Sequence, residues 1–252
     1  MVAPASWRCV DFISDLHLAN DTPRAFAAWA AYLRDTPADA VVILGDLFEA
    51  WVGDDAAFEG FEAGCAAVLA EAASRRLILH MVGNRDFLVG PAFLERCGVT
   101  ALADPTVIEA FDERVLLSHG DALCLDDVEY QRFRELVRSE PWQRDFLAQP
   151  LETRRALSRE LRAASERRKA GPAPWVDVDR AAALGVMRAA RTPTLIHGHT
   201  HRPGDESLAP GFRRLVLSDW DLDHAPTPRA EVLRWQHSGF ERMSPLVAAQ
   251  AR

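Results

Sequence analysis

Six short apolar runs, rich in β-branched residues, each end in polar side chains able to bind a ligand. They read VDFISDLH, AVVILGD, LILHMVGNRD, RVLLSHGD, TLIHGHTH and RLVLSDW. Runs of this length, bounded by Gly, Asp and Asn, predict buried β-strands. Helical patterns lie between several of them, and strands that alternate with helices favour an α/β fold.

Three of the intervening stretches predict helices. Thr22 and Pro23 are typical of the N-cap and first turn of one helix. A second, Ala-rich helix is predicted over 61–76, and a third begins at Pro91. The last segment, 238–252, gives no usable indication.

Composition narrows the class of protein. The chain has 252 residues, 48% hydrophobic and 26% charged, which suits a single domain spanning 1–252. A net charge of −8 argues against a general nucleic-acid binder. The four cysteines form no C-x-x-C pair, and we expect reduced thiols in a cytoplasmic protein. We expect neither a signal peptide nor a membrane span of about 20 apolar residues.

The segment 128–191 has helical patterns and no convincing strand, which predicts a helical cap inserted into the α/β body. Within it, residues 151–169 carry seven Arg or Lys against three Glu, interleaved with Leu157 and Leu161. Two interpretations stay open for this stretch. It is either a solvated amphipathic surface helix or a cap that contacts a phosphate and an apolar group.

The polar residues at the ends of the predicted strands have the chemistry of a metal site. They are Asp15, His17, Asp46, Asn84, Arg85, His119, His199 and His201. In α/β proteins, ligands gather at the carboxyl ends of the strands. Oxygen and imidazole donors without thiolate suit Mn²⁺, Fe or Zn²⁺. Seven candidate ligands suit two ions that share a carboxylate, the arrangement that activates water for displacement at phosphorus.

Each of these residues also has an ordinary structural interpretation. Asp46 suits a helix N-cap or a turn, Asn84 a left-handed turn, and His119 a hydrogen-bonded core histidine. All of these alternatives would have to coincide at successive strand ends. The metal site is therefore the preferred hypothesis.

The ordered blocks D-x-H, GD, GNRD, H and GHTH resemble the calcineurin-like metallophosphoesterases, whose usual pattern is D-x-H, G-D, G-N-H-D/E, H and G-H-x-H. The blocks run from Asp15 to His201, about three quarters of the chain. The resemblance implies an α/β sandwich of two mixed β-sheets flanked by helices.

One block departs from the general pattern, because Arg85 stands where most members have a histidine. With SDLHL, LGDLFEAWVGDD, GNRDFL, SHGDALCLDD and HGHTHRP, this chain is similar to the UDP-2,3-diacylglucosamine diphosphatases of lipid A biosynthesis. Those enzymes hydrolyse the pyrophosphate to UMP and 2,3-diacylglucosamine 1-phosphate (lipid X). The resemblance implies that activity and a UDP-linked acylated sugar as substrate. The donor set described above suits two divalent ions, with Mn²⁺ preferred.

The resemblance also implies roles for individual residues. The first ion would have the ligands Asp15, His17, Asp46 and His201. The second would have Asp46, Asn84, His119 and His199, with Asp46 bridging. The implied catalytic residues are Asn84, Arg85 and His119, and the implied substrate-binding residues are Asn84, Arg85, Asp127, Ser165, Lys169 and His199.

Some of these roles have an independent physical basis and others do not. The planar guanidinium of Arg85 suits two phosphate oxygens at once. Asp127 suits either a sugar hydroxyl or amide, or a helix N-cap before Val128. In the cap, the family pattern of Ser, Asn and Lys is met only by Ser165, since Lys169 and Pro172 occupy the other two positions. His197 has the same parity as His199 along the strand and is expected to be a supporting or structural residue.

Partners and alternatives follow from the same observations. A basic, partly apolar cap suits peripheral contact with the cytoplasmic face of the inner membrane. Neither nucleic acid nor an obligate protein partner is expected. The alternatives are another metallophosphoesterase, such as a nucleotide phosphodiesterase or protein phosphatase, and a non-catalytic scaffold on the same fold.

Overall fold

The structure, a computed structural model, describes residues 1–169 and 176–250, and the side chains of 164–169 lie outside the description. The strands are β1 (Cys9–Ile13), β2 (Ala40–Leu44), β3 (Leu77–Met81), β4 (Thr100–Leu102), β5 (Thr106–Ala110), β6 (Glu113–Ser118), β7 (Thr194–His197), β8 (Gly204–Ala209), β9 (Phe212–Val216), β10 (Val232–Gln236) and β11 (Gly239–Met243). The α-helices are α1 (Pro23–Asp35), α2 (Gly60–Ala73), α3 (Pro91–Cys97), α4 (Val128–Val137), α5 (Glu140–Leu147), α6 (Leu151–Lys169), α7 (Arg180–Ala190) and α8 (Pro245–Gln250).

The strands form two mixed sheets, as the resemblance implied. The six-stranded sheet has the order β11-β10-β1-β2-β3-β4, in which β1 to β4 are parallel and β10 and β11 are antiparallel. The five-stranded sheet has the order β5-β6-β7-β9-β8, in which β6, β7 and β9 are parallel between antiparallel edges. All six apolar runs of the sequence lie in strands. Within each sheet, the parallel strands that these runs form end next to one another.

The space between the two sheets is filled by one face of each. Phe12 and Val42 face inwards from the first sheet, and Leu117 and Ile196 from the second. Trp235 of β10 closes this layer, with its ring stacked 5.5 Å from that of Phe240. Side chains alternate between the faces of a strand, so the intervening residues point to the outer layers.

Helices cover the outer face of the first sheet. Ile13 and Ile43 pack there against Trp29 of α1 and Leu69 of α2. The three helices predicted from sequence are confirmed: α1 has Thr22 at its N-cap, α3 begins at Pro91, and α2 ends three residues earlier than predicted. The Thr22 hydroxyl bonds the Ala19 backbone rather than capping α1.

The segment 128–191 contributes only helices among its described residues. α7 packs on the outer face of the second sheet, where Ala183 and Met187 meet Leu116 and Leu195. By contrast, α5 packs beside the loop after β3, with the Trp142 ring 6.0 Å from that of Phe87. This packing brings α4, α5 and α6 next to the carboxyl ends of the parallel strands. None of the described helices combines the length and apolar character needed to cross a membrane.

Candidate metal centre

The carboxyl ends of β1, β2, β3, β6 and β7 meet at one edge of the sandwich. The two sheets are joined there by His119, whose Nδ1–H donates to the carbonyl oxygen of Leu44 at 2.8 Å. His199 follows β7, and its backbone N–H donates to Asp15, which follows β1. Ligand candidates from both sheets therefore face the same space, as the strand-end argument predicted.

Backbone conformation at this edge is unusual. Five of the seven predicted ligands, Asp15, His17, Asp46, His199 and His201, have φ between 50° and 67°. Non-glycine residues rarely adopt this left-handed region, and strain of about 1–3 kcal/mol per residue is typical of functional sites. Hydrogen bonds between adjacent loops hold the conformation, including those from Asp15 N–H to Gly45 and from His17 N–H to Asp46.

Two motif glycines are required by the closeness of the loops. A Cβ on Gly83, in the GNRD block, would collide with the backbone and carboxylate of Asp46. A Cβ on Gly198, in the GHTH block, would collide with Asp15 and Ser14. These glycines precede predicted ligands in sequence, and each makes room for a ligand from a different block.

The first group of candidate ligands is Asp15, His17 and His201, whose ligand atoms all lie within 4.8 Å of one another. Nε2 of His17 lies 3.2 Å from Nε2 of His201. Asp15 Oδ1 is 3.3 Å from Nε2 of His201 and 3.9 Å from that of His17. Three donors facing one point suit a single cation.

The second group is Asp15, Asp46 and His119. Next to it, Asn84 Oδ1 lies 3.0 Å from His119 Nε2 and 2.7 Å from His199 Nδ1. Asp46 directs Oδ1 towards His119 at 3.7 Å and Oδ2 towards His17 at 3.9 Å. The structure thus brings all seven predicted ligands together. Five form two groups that share Asp15, Asn84 and His199 lie beside the second group, and Asp46 faces both groups.

Electrostatics favour a cation in this space. Asp15 and Asp46 are fully buried. Burial alone would raise the pKa of Asp15, but the hydrogen bond and charge of His201 and the neighbouring imidazoles hold it well below its usual range. Burial also opposes charge on His119, yet Asp46 and Asp15 raise its pKa to about 9. Buried carboxylates need compensating positive charge, and divalent ions supply it.

The pKa of the His199 imidazole is shifted in the opposite direction to that of His119. Burial and the charge of His119 lower its pKa to about 3, so the ring is neutral at physiological pH. A neutral imidazole is the form that binds metal. The donor set of carboxylates, imidazoles and one amide oxygen therefore fits divalent cations such as Mn²⁺, Fe²⁺ or Zn²⁺.

Three carboxylates that the sequence did not single out support the ligands. Asp86 accepts from the backbone N–H groups of Leu47 and Gly83, which ties the loops after β2 and β3 together. Glu49 lies 2.7 Å from Nδ1 of His17. Asp219 lies 3.5 Å from Nδ1 of His201 and is gripped by Arg229.

Arg85 lies at the rim of the same site. Its backbone N–H donates to Asp46 Oδ1 at 2.7 Å. Its guanidinium is 3.6 Å from Glu49, so the charged group lies close to the His17 side of the centre. This location is suitable for a phosphate bound at the metals.

Helix α4 covers the side of the metal centre on which His199 lies. Asp127 is its N-cap and accepts from Tyr130 N–H at 3.0 Å, the structural alternative that the sequence left open. The Tyr130 ring stacks 6.0 Å from His199 while its hydroxyl donates to Asp121. Arg138 donates to the Gly83 carbonyl. These contacts fix α4 over the candidate ligands.

The other predicted site residues are outside the two groups. His197 is buried in β7, and its Nδ1–H donates to the Gly198 carbonyl, which suits a structural role. The side chains of Ser165 and Lys169 lie outside the described residues, as does Pro172.

Two cavities adjoin this part of the molecule. A groove of about 800 Å³ runs between α5 and α6, lined by Trp142, Phe146, Leu157 and Leu161. A smaller cleft of about 320 Å³ contains His17 and His201 with Arg162 and Arg229. The groove is mainly apolar, whereas the cleft is lined by charged side chains.

Two similar proteins have the same name. A protein of Ralstonia nicotianae named UDP-2,3-diacylglucosamine hydrolase is 46% identical over 242 residues, covering 90% of this chain and 89% of that protein. One of the same name from Chromobacterium violaceum is 47% identical over 220 residues, covering 84% and 90%.

Solved structures of low sequence identity align with most of this chain. An archaeal phosphodiesterase has a TM-score of 0.48 and 12% identity, covering 93% of this chain and 98% of its own. Wild-type Vps29 from Entamoeba histolytica, complexed with Zn²⁺, has a TM-score of 0.44 and 15% identity, covering 94% and 99%.

A family model spans most of the region that holds the motifs. It matches residues 10–203, which include every candidate ligand. With the two mixed sheets and the strand-end ligands, this match establishes that the chain belongs to the calcineurin-like phosphoesterase family.

Proposed function

We propose that this chain hydrolyses the pyrophosphate bond of UDP-2,3-diacylglucosamine to give UMP and 2,3-diacylglucosamine 1-phosphate. The observation that carries the proposal is the convergence of seven ligand-type side chains at one sheet edge. The substrate is suggested by relatives at 46–47% identity that are named UDP-2,3-diacylglucosamine hydrolase.

Divalent ions belong to the chemistry of this family, and the donor set supports two of them. The proposed ligands of the first are Asp15, His17, Asp46 and His201, and those of the second are Asp46, Asn84, His119 and His199. Mn²⁺ is the proposed metal, since it suits mixed oxygen and imidazole donors. When bound, such ions neutralise phosphate charge and lower the pKa of a water molecule.

The remaining chemistry belongs to side chains around the ions. We propose that Arg85, whose guanidinium lies 3.6 Å from Glu49, pairs with phosphate oxygens and offsets charge as the bond breaks. The leaving group is a phosphate monoester whose charge needs no strong general acid. An arginine in place of the family histidine therefore suits a pyrophosphate substrate.

The groove between α5 and α6 supports an acylated substrate. Trp142, Phe146, Leu157 and Leu161 offer apolar surface in this groove. The Trp142 ring lies 6.0 Å from that of Phe87, two residues after Arg85. Burying hydrocarbon there would contribute about 0.8 kcal/mol per methylene. We propose that this groove takes acyl chain and that Asp127, Ser165 and Lys169 contact the sugar or its phosphate.

Basic residues on α6 support a peripheral position at the cytoplasmic face of the inner membrane. Arg155 and Arg159 are partly or fully exposed on this helix. A basic residue near an anionic lipid surface contributes about 1 kcal/mol. Co-sedimentation with anionic vesicles that falls with added salt is the expected result; binding insensitive to salt would contradict it.

The function is tested by metal-dependent release of UMP from UDP-2,3-diacylglucosamine, separated by chromatography. We expect activity with Mn²⁺, loss after chelation, loss in His119→Ala, and retention in the matched control His237→Ala, which alters an exposed histidine outside the site. Turnover of bis(p-nitrophenyl) phosphate without UMP release would indicate a different phosphoesterase. No turnover of either by metal-loaded protein would indicate a scaffold.

A further inference from the structure

Glu49 occupies a junction between the metal centre and the cap. It lies in the loop after β2, and its backbone N–H donates to the Leu18 carbonyl in the loop after β1. Its side chain is only 14% exposed although no strand or helix holds it. The position between two ligand loops explains this burial.

Both carboxylate oxygens of Glu49 face a donor. Oε2 lies 2.7 Å from Nδ1 of His17. Oε1 lies 2.9 Å from Nε of Arg162 and 3.6 Å from Nη1 of Arg85. One side chain thus contacts a candidate metal ligand, the proposed phosphate-binding arginine and the cap.

The contact with His17 sets the state of its ring. The two groups are within ion-pair distance but lack hydrogen-bond geometry. A carboxylate beside Nδ1 favours the proton on that nitrogen, and in a neutral ring this leaves Nε2 free to bind a metal. That Nε2 faces Asp15 and His201, the other members of the first group. Glu49 therefore orients a ligand without touching the cation.

The second contact of Glu49 is an ion pair with Arg162 in the middle of α6, at 2.9 Å but without hydrogen-bond geometry. The beginning of this helix is fixed elsewhere, because Arg154 pairs with Asp55 and donates to the Val52 carbonyl. Arg162 lies more than two turns further along, and its partner is the carboxylate that orients His17. Docking of this part of the cap thus involves the same group as the metal ligand.

We propose that Glu49 is a positioning residue that couples metal binding at His17 to docking of α6. Coupling is reciprocal, so metal should strengthen docking of α6 and the docked helix should raise metal affinity. The inference rests on the proposed function only in taking His17 as a metal ligand.

Glutamine at this position separates the two contacts. Gln has one acceptor oxygen and one NH₂ group, so it satisfies either His17 or Arg162 and presents donors to the other. The probe is Mn²⁺ added to chelator-treated full-length protein. The measurements are calorimetric Mn²⁺ affinity and hydrogen exchange of peptides covering 151–163.

In the unaltered protein, we expect Mn²⁺ to slow exchange across 151–163. In Glu49→Gln, Mn²⁺ affinity should fall by roughly 10- to 100-fold, the usual effect of losing a partner of a ligating histidine. The Mn²⁺-dependent protection of α6 should disappear. Arg162→Gln should also lose that protection while reducing Mn²⁺ affinity less than Glu49→Gln does. Arg162 is partly exposed, so this variant is expected to fold.

The matched control is Glu152→Gln, an exposed residue of the same helix, which should keep both properties. Unchanged Mn²⁺ affinity in Glu49→Gln would overturn the positioning role. Protection that persists in both variants, or no effect of Mn²⁺ in the unaltered protein, would overturn the coupling. Failure of UMP release with these results intact would reject the proposed substrate and leave this inference standing.

Discussion

The Nδ1–H of His119 donates to the carbonyl oxygen of Leu44 at 2.8 Å, which joins the end of β6 in one sheet to the end of β2 in the other. With Nδ1 occupied in this way, Nε2 is directed at Asn84 and Asp46. The backbone of the opposite sheet thus fixes the ring orientation of a fully buried histidine. The sandwich itself orients this side chain for its neighbours.

Replacing His119 with Ala should remove one ligand of the second group. Loss of a partner that only orients a ligand costs about 10- to 100-fold, so loss of a ligand should reduce kcat/KM by at least about 100-fold. Bound Mn²⁺, measured by mass spectrometry after dialysis, should fall from two ions per chain towards one. Two retained ions would contradict the assignment of His119.

Gly83→Ala tests the close approach of the ligand loops. The added methyl group would collide with Asp46, and we expect about 1–3 kcal/mol lower free energy of unfolding with weaker Mn²⁺ binding. Urea denaturation and Mn²⁺ titration measure the two effects.

The matched control is Gly185→Ala in α7, where an added Cβ meets no atom within 4 Å. Alanine in an exposed helix should raise the free energy of unfolding by about 0.5–1 kcal/mol. Equal effects of the two substitutions would show that the approach of Gly83 to Asp46 is looser than the structure has it.

Arg234→Met tests a buried ion pair beneath the site. Arg234 donates to both oxygens of Asp11 and to the Ala248 carbonyl, which ties β10 to β1 and α8. Removing it leaves a buried carboxylate without that partner, and we expect a loss of about 3–5 kcal/mol in the free energy of unfolding.

For comparison, Arg144→Met removes an exposed pair with Asp145 and should change stability by less than about 0.5 kcal/mol. Chemical denaturation of both variants measures the change in the free energy of unfolding. Similar small losses would mean that the buried pair contributes little.

The same pair shows what the sequence could and could not predict. Local periodicity predicted the six short apolar strands and three helices, and the ligand candidates were found because they follow the ends of these strands. β10 was missed because its sequence, VLRWQ, has a charged residue inside the core. The partner of that charge, Asp11, is 223 residues away, so no local pattern could indicate the pairing.

Unlike β10, the strands β4 and β11 were missed for local reasons. β4 has only three residues, and β11 lies at a sheet edge with partly exposed side chains, so neither has a clear apolar period. Glu49 and Asp219 were missed because their role depends on which imidazole nitrogen they face. Of these two, only Asp219 gave a signal, as the aspartate of RLVLSDW, since β9 is parallel to β7 and ends at the same edge.

The four cysteines should be unreactive in the folded protein. All are buried, and burial raises the pKa of Cys97 to about 11 and that of Cys124 to about 12. A raised pKa keeps the thiol protonated at pH 8, and the thiolate is the reactive form. Ellman's reagent should therefore label none of them within minutes in native buffer and all four in denaturant. Rapid native labelling would contradict this burial.

Leu161→Glu tests the groove between α5 and α6 as the site for acyl chain. Leu161 is 45% exposed, so the fold should tolerate a charge there. A carboxylate in the groove would oppose burial of hydrocarbon, and at about 0.8 kcal/mol per methylene the loss of two methylene contacts lowers kcat/KM about 15-fold. Metal-dependent hydrolysis of bis(p-nitrophenyl) phosphate, which has no acyl chain, should be unchanged. Leu246→Glu on α8, an exposed leucine that does not line the groove, is the matched control for the added charge. A parallel fall for both substrates would place the effect of Leu161 at the metal centre, and no fall for either would exclude the groove from acyl binding.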